Sequence, residues 1–169
     1  APQPARPGGL PSVCVLMPTN SRPEFVRHAL VRIGAQQYPP SLLRKVVVVD
    51  DSPAALRVAE LRPGTQRWRP SQLEQPEAAA GGDSSPPRAA AGATGLMVEY
   101  VVLETQAAIG TKRNIGAGRC DADVVVHWDD DDFYATARLR KQLEPIARGE
   151  ADLTCLEHQA TFFYGGEAA

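Results

Sequence analysis

"KVVVVDDSP", residues 45 to 53, is the stretch on which the fold turns. Four consecutive valines make a strand buried on both faces, because a strand with a solvent side alternates apolar and polar residues. Asp50 and Asp51 stand at its C-terminal end, and Ser52 with Pro53 opens a short helix. A buried strand that ends in carboxylates and passes into a helix start is the β-to-α step of a parallel sheet.

The same step recurs on both sides. Upstream, "VCVLM", residues 13 to 17, reads as a short buried strand, and Ser21 with Pro23 supplies an N-cap and a helix-opening proline. Phe25, Val26, Ala29, Leu30 and Ile33 then recur at three- and four-residue intervals, an amphipathic helix that "YPP" at 38 to 40 ends. Downstream, "LMVEYVVL" at 96 to 103 is a third strand, followed by the glycine-spotted helix "GTKRNIGAGRC". "DVVVHW" is a fourth strand. Thr136 caps a helix carrying Leu139, Leu143 and Ile146, and "LTCLEHQATFFY" at 153 to 164 reads as a further extended segment. The class is α/β, a mainly parallel sheet with helices on both faces.

At 169 residues and 43% hydrophobic, the chain has material for one domain with a core. Residues 1–11 read as a flexible N-terminal segment and 12–169 as the domain. Within it, residues 63–95 are more than half Pro, Gly and Ala and keep no period, so they read as a disordered insertion. The chain begins without Met and stops at "FFYGGEAA" with no helix cap, which reads as a piece of something longer.

Eighteen basic against 20 acidic residues, with no basic cluster interleaved with aromatics, argue against nucleic acid as a partner. Cys14, Cys120 and Cys155 lie far apart, are odd in number and show no zinc spacing, which fits a reducing compartment. No apolar run approaches the roughly 18 residues of a membrane span. The expectation is a cytoplasmic chain, its parent protein being free to associate with a membrane.

In sheets of this class ligands bind outside the carboxyl ends of the strands. Those ends read "PTNSR", "DDS", "ET" and "WDDDD". Four adjacent aspartates, Asp129 to Asp132, raise one another's pKa unless a cation compensates them. Mg²⁺ or Mn²⁺ does so with one or two protein carboxylates, drawing its other ligands from water and phosphate. Asp129 and Asp131, two residues apart, project to one side if the strand persists, with Asp130 and Asp132 pointing elsewhere. A metal held there would grip a diphosphate. His127 reads as a packed strand residue, and His28 and His158 are isolated, so none joins the metal set. Trp128 either walls the ligand pocket or packs beneath the sheet edge. Gly110, Gly116 and Gly118 match neither a P-loop nor a dinucleotide fingerprint.

In this order the motifs resemble those of the family 2 glycosyltransferases, nucleotide-sugar enzymes of the GT-A fold. "VCVLMPTNSRPEFVRHAL" is similar to the family's strand, Pro-Thr and helix opening, and "VVVVDDSP" to its second strand ending. "IGTKRNIGAGRCDAD" is similar to its Gly-x-x-Arg-Asn helix, and "HWDDDDFYATARL" to its Asp-x-Asp element. The likeness covers residues 12 to about 164, interrupted by the insertion.

The resemblance implies that Pro18, Thr19 and Asp51 line a pocket for base and ribose, with Asn20, Arg22 and Ser52 beside them and Asp50 supporting the turn. It places Gly110, Lys112 and Arg113 near the base or diphosphate and lets Asn114 fix the helix start. Asp129 and Asp131 face a Mn²⁺ or Mg²⁺ ion, Asp131 as the direct ligand, and Asp130 joins the substrate set. Where the family has tyrosine then asparagine after Pro-Thr, this chain has Asn20 and Ser21. The implied activity is that of a hexosyltransferase: inverting, metal-dependent transfer from a nucleoside-diphosphate sugar, UDP by family habit, to an unknown acceptor. The base is expected in an acceptor-binding part beyond this chain, so no catalytic residue is assigned.

Two rivals remain at this level. "KVVVVDDSPAALRVAE" is also similar to the start of a response-regulator receiver domain, in which paired acids bind Mg²⁺ beside a phospho-accepting aspartate. Against it, a full strand and helix precede the segment and no later strand ends in lysine. The other rival is a non-catalytic nucleotide-binding fragment.

Overall fold

The computed structural model describes residues 9–69 and 95–156. Its elements run β1 (Val13–Thr19), α1 (Pro23–Gly34), β2 (Leu43–Asp50), a 3₁₀ turn (Ala54–Leu56), β3 (Gly64–Trp68), β4 (Leu96–Val102), α2 (Ile109–Ala117), β5 (Val124–His127) and α3 (Arg138–Ala147). The five strands lie in the order β3-β4-β2-β1-β5. β1, β2, β4 and β5 are parallel, and β3 runs antiparallel to β4 at the edge.

Period two sorts the strand side chains onto two cores. Val13, Val15, Met17, Val46 and Val48 share one cluster with Val26, Leu30 and Ile33 of α1 and with Leu139 and Leu143 of α3. Cys14, Leu16, Val47 and Val49 form the other, with Ile115 of α2 packed against them. Both faces are covered, which is why the runs Val13 to Met17 in β1 and Val46 to Val49 in β2 are apolar without alternation. The chain steps outward from β1 through β2 to β4, then returns to place β5 on β1's other side. That reversal is a topological switch point, and a crevice opens at the C-terminal ends of the two strands that flank it.

Several details correct the sequence reading. Residues 64–68, assigned to the disordered insertion, form β3, because the backbone of β4 offers a free edge that a polar segment pairs with as well as an apolar one. Residues 70–94 of that insertion lie outside the described residues, as does most of the extended segment expected at 153–164. Leu153 to Leu156 are in no strand.

The N-cap of α1 is Arg22, not Ser21, which takes a left-handed φ of 55° and donates its amide to Ser52 Oγ at 2.6 Å. The turn into α1 is therefore fastened to β2's end instead of being capped locally. The N-cap of α3 is Ala137, not Thr136, whose carbonyl accepts the Gln37 amide at 2.7 Å.

The cysteine reading also changes. Cys14 and Cys120, 106 residues apart, are joined in a disulfide, and Cys155 is free and exposed. Distance in sequence is no guide here, because α2 returns its C-terminal end to the face of β1. A disulfide belongs to oxidising surroundings more often than to reducing ones, so the cysteines no longer argue for a reducing compartment. Among the described residues no helix is long and apolar enough to cross a membrane.

Candidate functional site

β1 and β5 end side by side at the switch point, and their last residues build the site. The Trp128 amide donates to Leu16 O at 2.9 Å, the last bond of the pair, after which the chain leaves the sheet. A turn follows, closed by the Asp132 amide donating to Asp129 O at 3.2 Å. The strand therefore does not persist through the aspartates. It is the turn, not strand alternation, that distributes their carboxylates.

Each carboxylate goes to a different place. Asp130 points inward and is buried, accepting the Thr19 hydroxyl at 2.6 Å. Burial pushes its pKa up against the pull of Thr19 and Arg22. Asp131 stays half-exposed and meets Arg22 Nη1 at 2.5 Å, the same nitrogen lying 3.4 Å from Asp130. Asp129, also half-exposed, accepts from Arg113 Nη2 at 3.2 Å. Asp132 accepts the hydroxyl of Tyr134.

An aromatic base holds the turn. Trp128 is fully buried, with Tyr134 edge-on at 4.7 Å, and the Arg138 guanidinium lies 3.5 Å from the Tyr134 ring and 4.6 Å from Trp128. Arg138 Nη2 also donates to His127 O at 2.7 Å. Trp128 is thus packing rather than pocket wall. His127 is exposed on the edge strand instead of packed.

The floor of the crevice comes from β2 and α2. Asp51 accepts Lys112 Nζ at 2.8 Å, Asn20 Nδ2 at 2.7 Å and the Ala107 amide at 2.8 Å. Burial pushes the Asp51 carboxyl up, but these three donors outweigh it and hold its pKa below the ordinary carboxylate range. Its position just before the first turn of α2 also suits the positive end of that helix. Lys112, itself buried, adds a bond to Thr19 O at 3.0 Å and so ties α2 to β1 as well as β2.

Asp50 accepts the Ser52 amide at 2.8 Å and the hydroxyls of Ser52 and Tyr100. Both acids of the "DDS" ending are consequently buried and occupied by protein donors. That is unlike the open acidic pocket a receiver reading requires.

The expected residues fall into groups. Thr19, Asn20, Asp51, Lys112 and Asp130 form one connected network, which Ser52 and Asp50 brace through Ser21. Pro18 is buried in β1 next to it. Arg22, Arg113, Asp129 and Asp131 form the exposed rim. Gly110 lies in the first turn of α2, where an added Cβ would meet nothing within 4 Å, so that turn is open to approach.

Asn114 does not fix the start of α2. It sits exposed in the second turn, and the helix begins at the Ala108 carbonyl, which accepts the Lys112 amide at 3.1 Å. Tyr100 and the Ala107 amide went unnoticed in the sequence reading, and Arg138 stood inside the quoted "HWDDDDFYATARL" without being given a part. Only Arg138 carries a local signal, standing just past the aromatic pair Phe133-Tyr134.

Among the described residues no group of three or more His, Cys, Asp or Glu side chains is gathered to hold a metal. Asp129 and Asp131 are the half-exposed carboxylates of the turn, the donor type that a hard divalent cation takes one or two of while completing its shell from water and phosphate. A cavity of about 240 Å³ adjoins the turn, lined by Phe25, His28, Arg32, Asp130 and Phe133 among others. A larger one, about 600 Å³, lies at the far end of the sheet beside Trp68, Leu96 and the end of α1, away from these groups.

Comparison with known proteins gives the following. The sequence model of glycosyl transferase family 2 matches residues 82–167, a little over half of the chain. No curated protein matches. Among solved structures, the chain is similar to S. aureus TarS 1-349, with a TM-score of 0.51 and 19% identity over 77% of this chain and 30% of that one. It is also similar to the mannosyltransferase PcManGT from Pyrobaculum calidifontis in complex with GDP-Man and Mn²⁺, with a TM-score of 0.52 and 21% identity over 84% of this chain and 32% of that one. The fold they share is GT-A. The chain spans about a third of the length of each.

Proposed function

The chain belongs to glycosyl transferase family 2, and from that premise we propose that it forms the donor-binding half of a metal-dependent, inverting glycosyltransferase. The observation that carries the reading is the bond from Thr19 to Asp130 across the switch point, which presents Asp129 and Asp131 as half-exposed carboxylates at the mouth of the crevice. The donor is a nucleoside-diphosphate sugar and the transferred group a hexose. PcManGT, whose structure holds GDP-Man and Mn²⁺, supports a nucleotide–metal pair in this fold.

Asp129 and Asp131 hold the ion, Mn²⁺ or Mg²⁺, and Asp130 keeps the turn in register through Thr19. Asn20, Asp51 and Lys112 shape the base and ribose side, while Arg22, Gly110 and Arg113 face the diphosphate. When bound, the metal stabilises the negative charge that develops on the departing diphosphate. Arg22 and Arg113 add fixed positive charge to the same region. An acceptor hydroxyl needs a general base, and none of the described residues is assigned that part.

Calorimetric titration of UDP and of GDP, each with Mn²⁺ and with EDTA, tests the reading. One of the two nucleotides should bind the wild-type chain only with metal, and Asp131→Ala should abolish that binding. A folded wild-type chain that takes up neither nucleotide in Mn²⁺ would sink the proposal.

A further inference from the structure

Both carboxylates assigned to the metal are already matched with a cation of the chain's own. Arg22 reaches Asp131 at 2.5 Å from the loop before α1, and Arg113 reaches Asp129 at 3.2 Å from α2, so the acidic turn is gripped from two sides. We propose that Arg22 and Arg113 act as exchangeable counter-cations of this turn. They occupy the carboxylates against a lone divalent ion and release them only when a diphosphate takes the guanidinium groups in return. Metal and diphosphate then enter as a pair. The inference rests on the metal reading of Asp129 and Asp131 given above.

Three features favour exchange over a permanent structural bond. All four side chains are between two-fifths and one-half exposed, and ion pairs in that setting are weak enough to be traded. A guanidinium is also a better match for a diphosphate than for a single carboxylate oxygen, since its planar fork bonds phosphate through parallel donors.

Arg113, finally, is under-satisfied as it stands. Its Nε is buried with no partner among the described residues, and an arrangement with a phosphate oxygen to accept from it would remove that penalty. The buried pair Lys112–Asp51 shows the contrast: those two groups are sealed from water and have no comparable freedom.

A ligand that must displace a bound group shows an affinity reduced by the fraction of sites already free. Losing Arg22 should therefore strengthen Mn²⁺ binding alone while weakening binding of the Mn²⁺–pyrophosphate complex, each by on the order of three- to fivefold, the range of an exposed pair. Mn²⁺ binding is read by electron paramagnetic resonance of the free ion, and complex binding by calorimetry. Both are made on wild type, Arg22→Gln and Arg113→Gln, with folding checked by circular dichroism.

Arg32→Gln is the control for net charge. Arg32 lies near the turn but stacks over the Phe133 ring at 4.4 Å, so its loss should change neither constant. Opposite shifts in the two arginine variants, absent from Arg32→Gln, support the exchange. Mn²⁺ affinity that is unchanged or weaker in Arg22→Gln, or equally raised in Arg32→Gln, overturns it while leaving the metal site standing. A folded wild type that binds neither Mn²⁺ nor its pyrophosphate complex overturns the site reading as well.

Discussion

The Thr19 hydroxyl donates to the buried Asp130 carboxylate at 2.6 Å, joining the last residue of β1 to the second aspartate of the turn after β5. The two residues are 111 apart in sequence and meet because β1 and β5 are parallel neighbours on either side of the chain reversal. The bond satisfies a carboxylate out of water and fixes where its exposed neighbours point.

Thr19→Val keeps the shape of the side chain and removes the donor. A buried acceptor left short of a partner costs about 1–3 kcal/mol, so urea denaturation should show a lower midpoint with an unchanged slope. Nucleotide binding in Mn²⁺ should weaken in parallel, since Asp129 and Asp131 lose their fixed register. Stability lost without any effect on binding would mean that Asp130 does not position the turn.

Lys112→Met leaves Asp51 buried with two neutral donors and no counter-charge. Breaking a buried pair from one side costs on the order of 3–5 kcal/mol. Adding Asp51→Asn to the variant should recover part of that loss, because the stranded charge is gone. A double-mutant cycle by chemical denaturation measures the coupling, and strict additivity would contradict it.

Gly116 faces Leu16 so closely that an added Cβ would lie 1.9 Å from its Cδ1 and 3.2 Å from Val49 Cγ2. Leu16 is fully buried and has nowhere to withdraw. Gly116→Ala should therefore lower Tm, the overpacking cost of about 1–3 kcal/mol exceeding the roughly 1 kcal/mol that alanine gains in helix propensity. Gly110→Ala, with open space around it, is the matched control and should raise Tm slightly.

Acid should unfold the chain partly through Asp51 and Glu99. Both are raised by burial but lowered further by their donors, Ala107, Lys112 and Asn20 for Asp51 and Lys45 with Arg119 for Glu99, so each folded pKa sits below the unfolded one. A depressed carboxylate contributes stability that is complete above its unfolded pKa of about 4 and lost as pH falls through the folded value. Asp130, raised by burial, works in the opposite direction. Denaturation midpoints at pH 6, 4 and 3 should fall with pH in wild type and fall less steeply in Asp51→Asn. Equal slopes would remove Asp51 from the account.

The sequence by itself determined the class of fold and the edge of the sheet that carries the chemistry. A short run of β-branched residues such as Val46 to Val49 reads as a strand buried on both faces, and such strands alternating with segments of period 3.6 point to a covered parallel sheet. That the strand ends collect Thr19, Asp50, Asp51 and Asp129 to Asp132 was legible for the same reason, since chain order and strand direction place them at one edge.

Tertiary structure alone decided what each polar group does there. Which aspartate goes inward depends on the turn after β5, on Thr19 opposite it and on the Trp128–Tyr134–Arg138 base beneath, all brought together by strand neighbours far apart in sequence. The Cys14–Cys120 bond, the pairing of polar β3 with β4 and the fastening of Ser21 to Ser52 escaped the sequence for the same cause. Apolar burial is written into local periodicity, whereas the partner of a hydrogen bond or a thiol is set by which distant backbone happens to lie beside it.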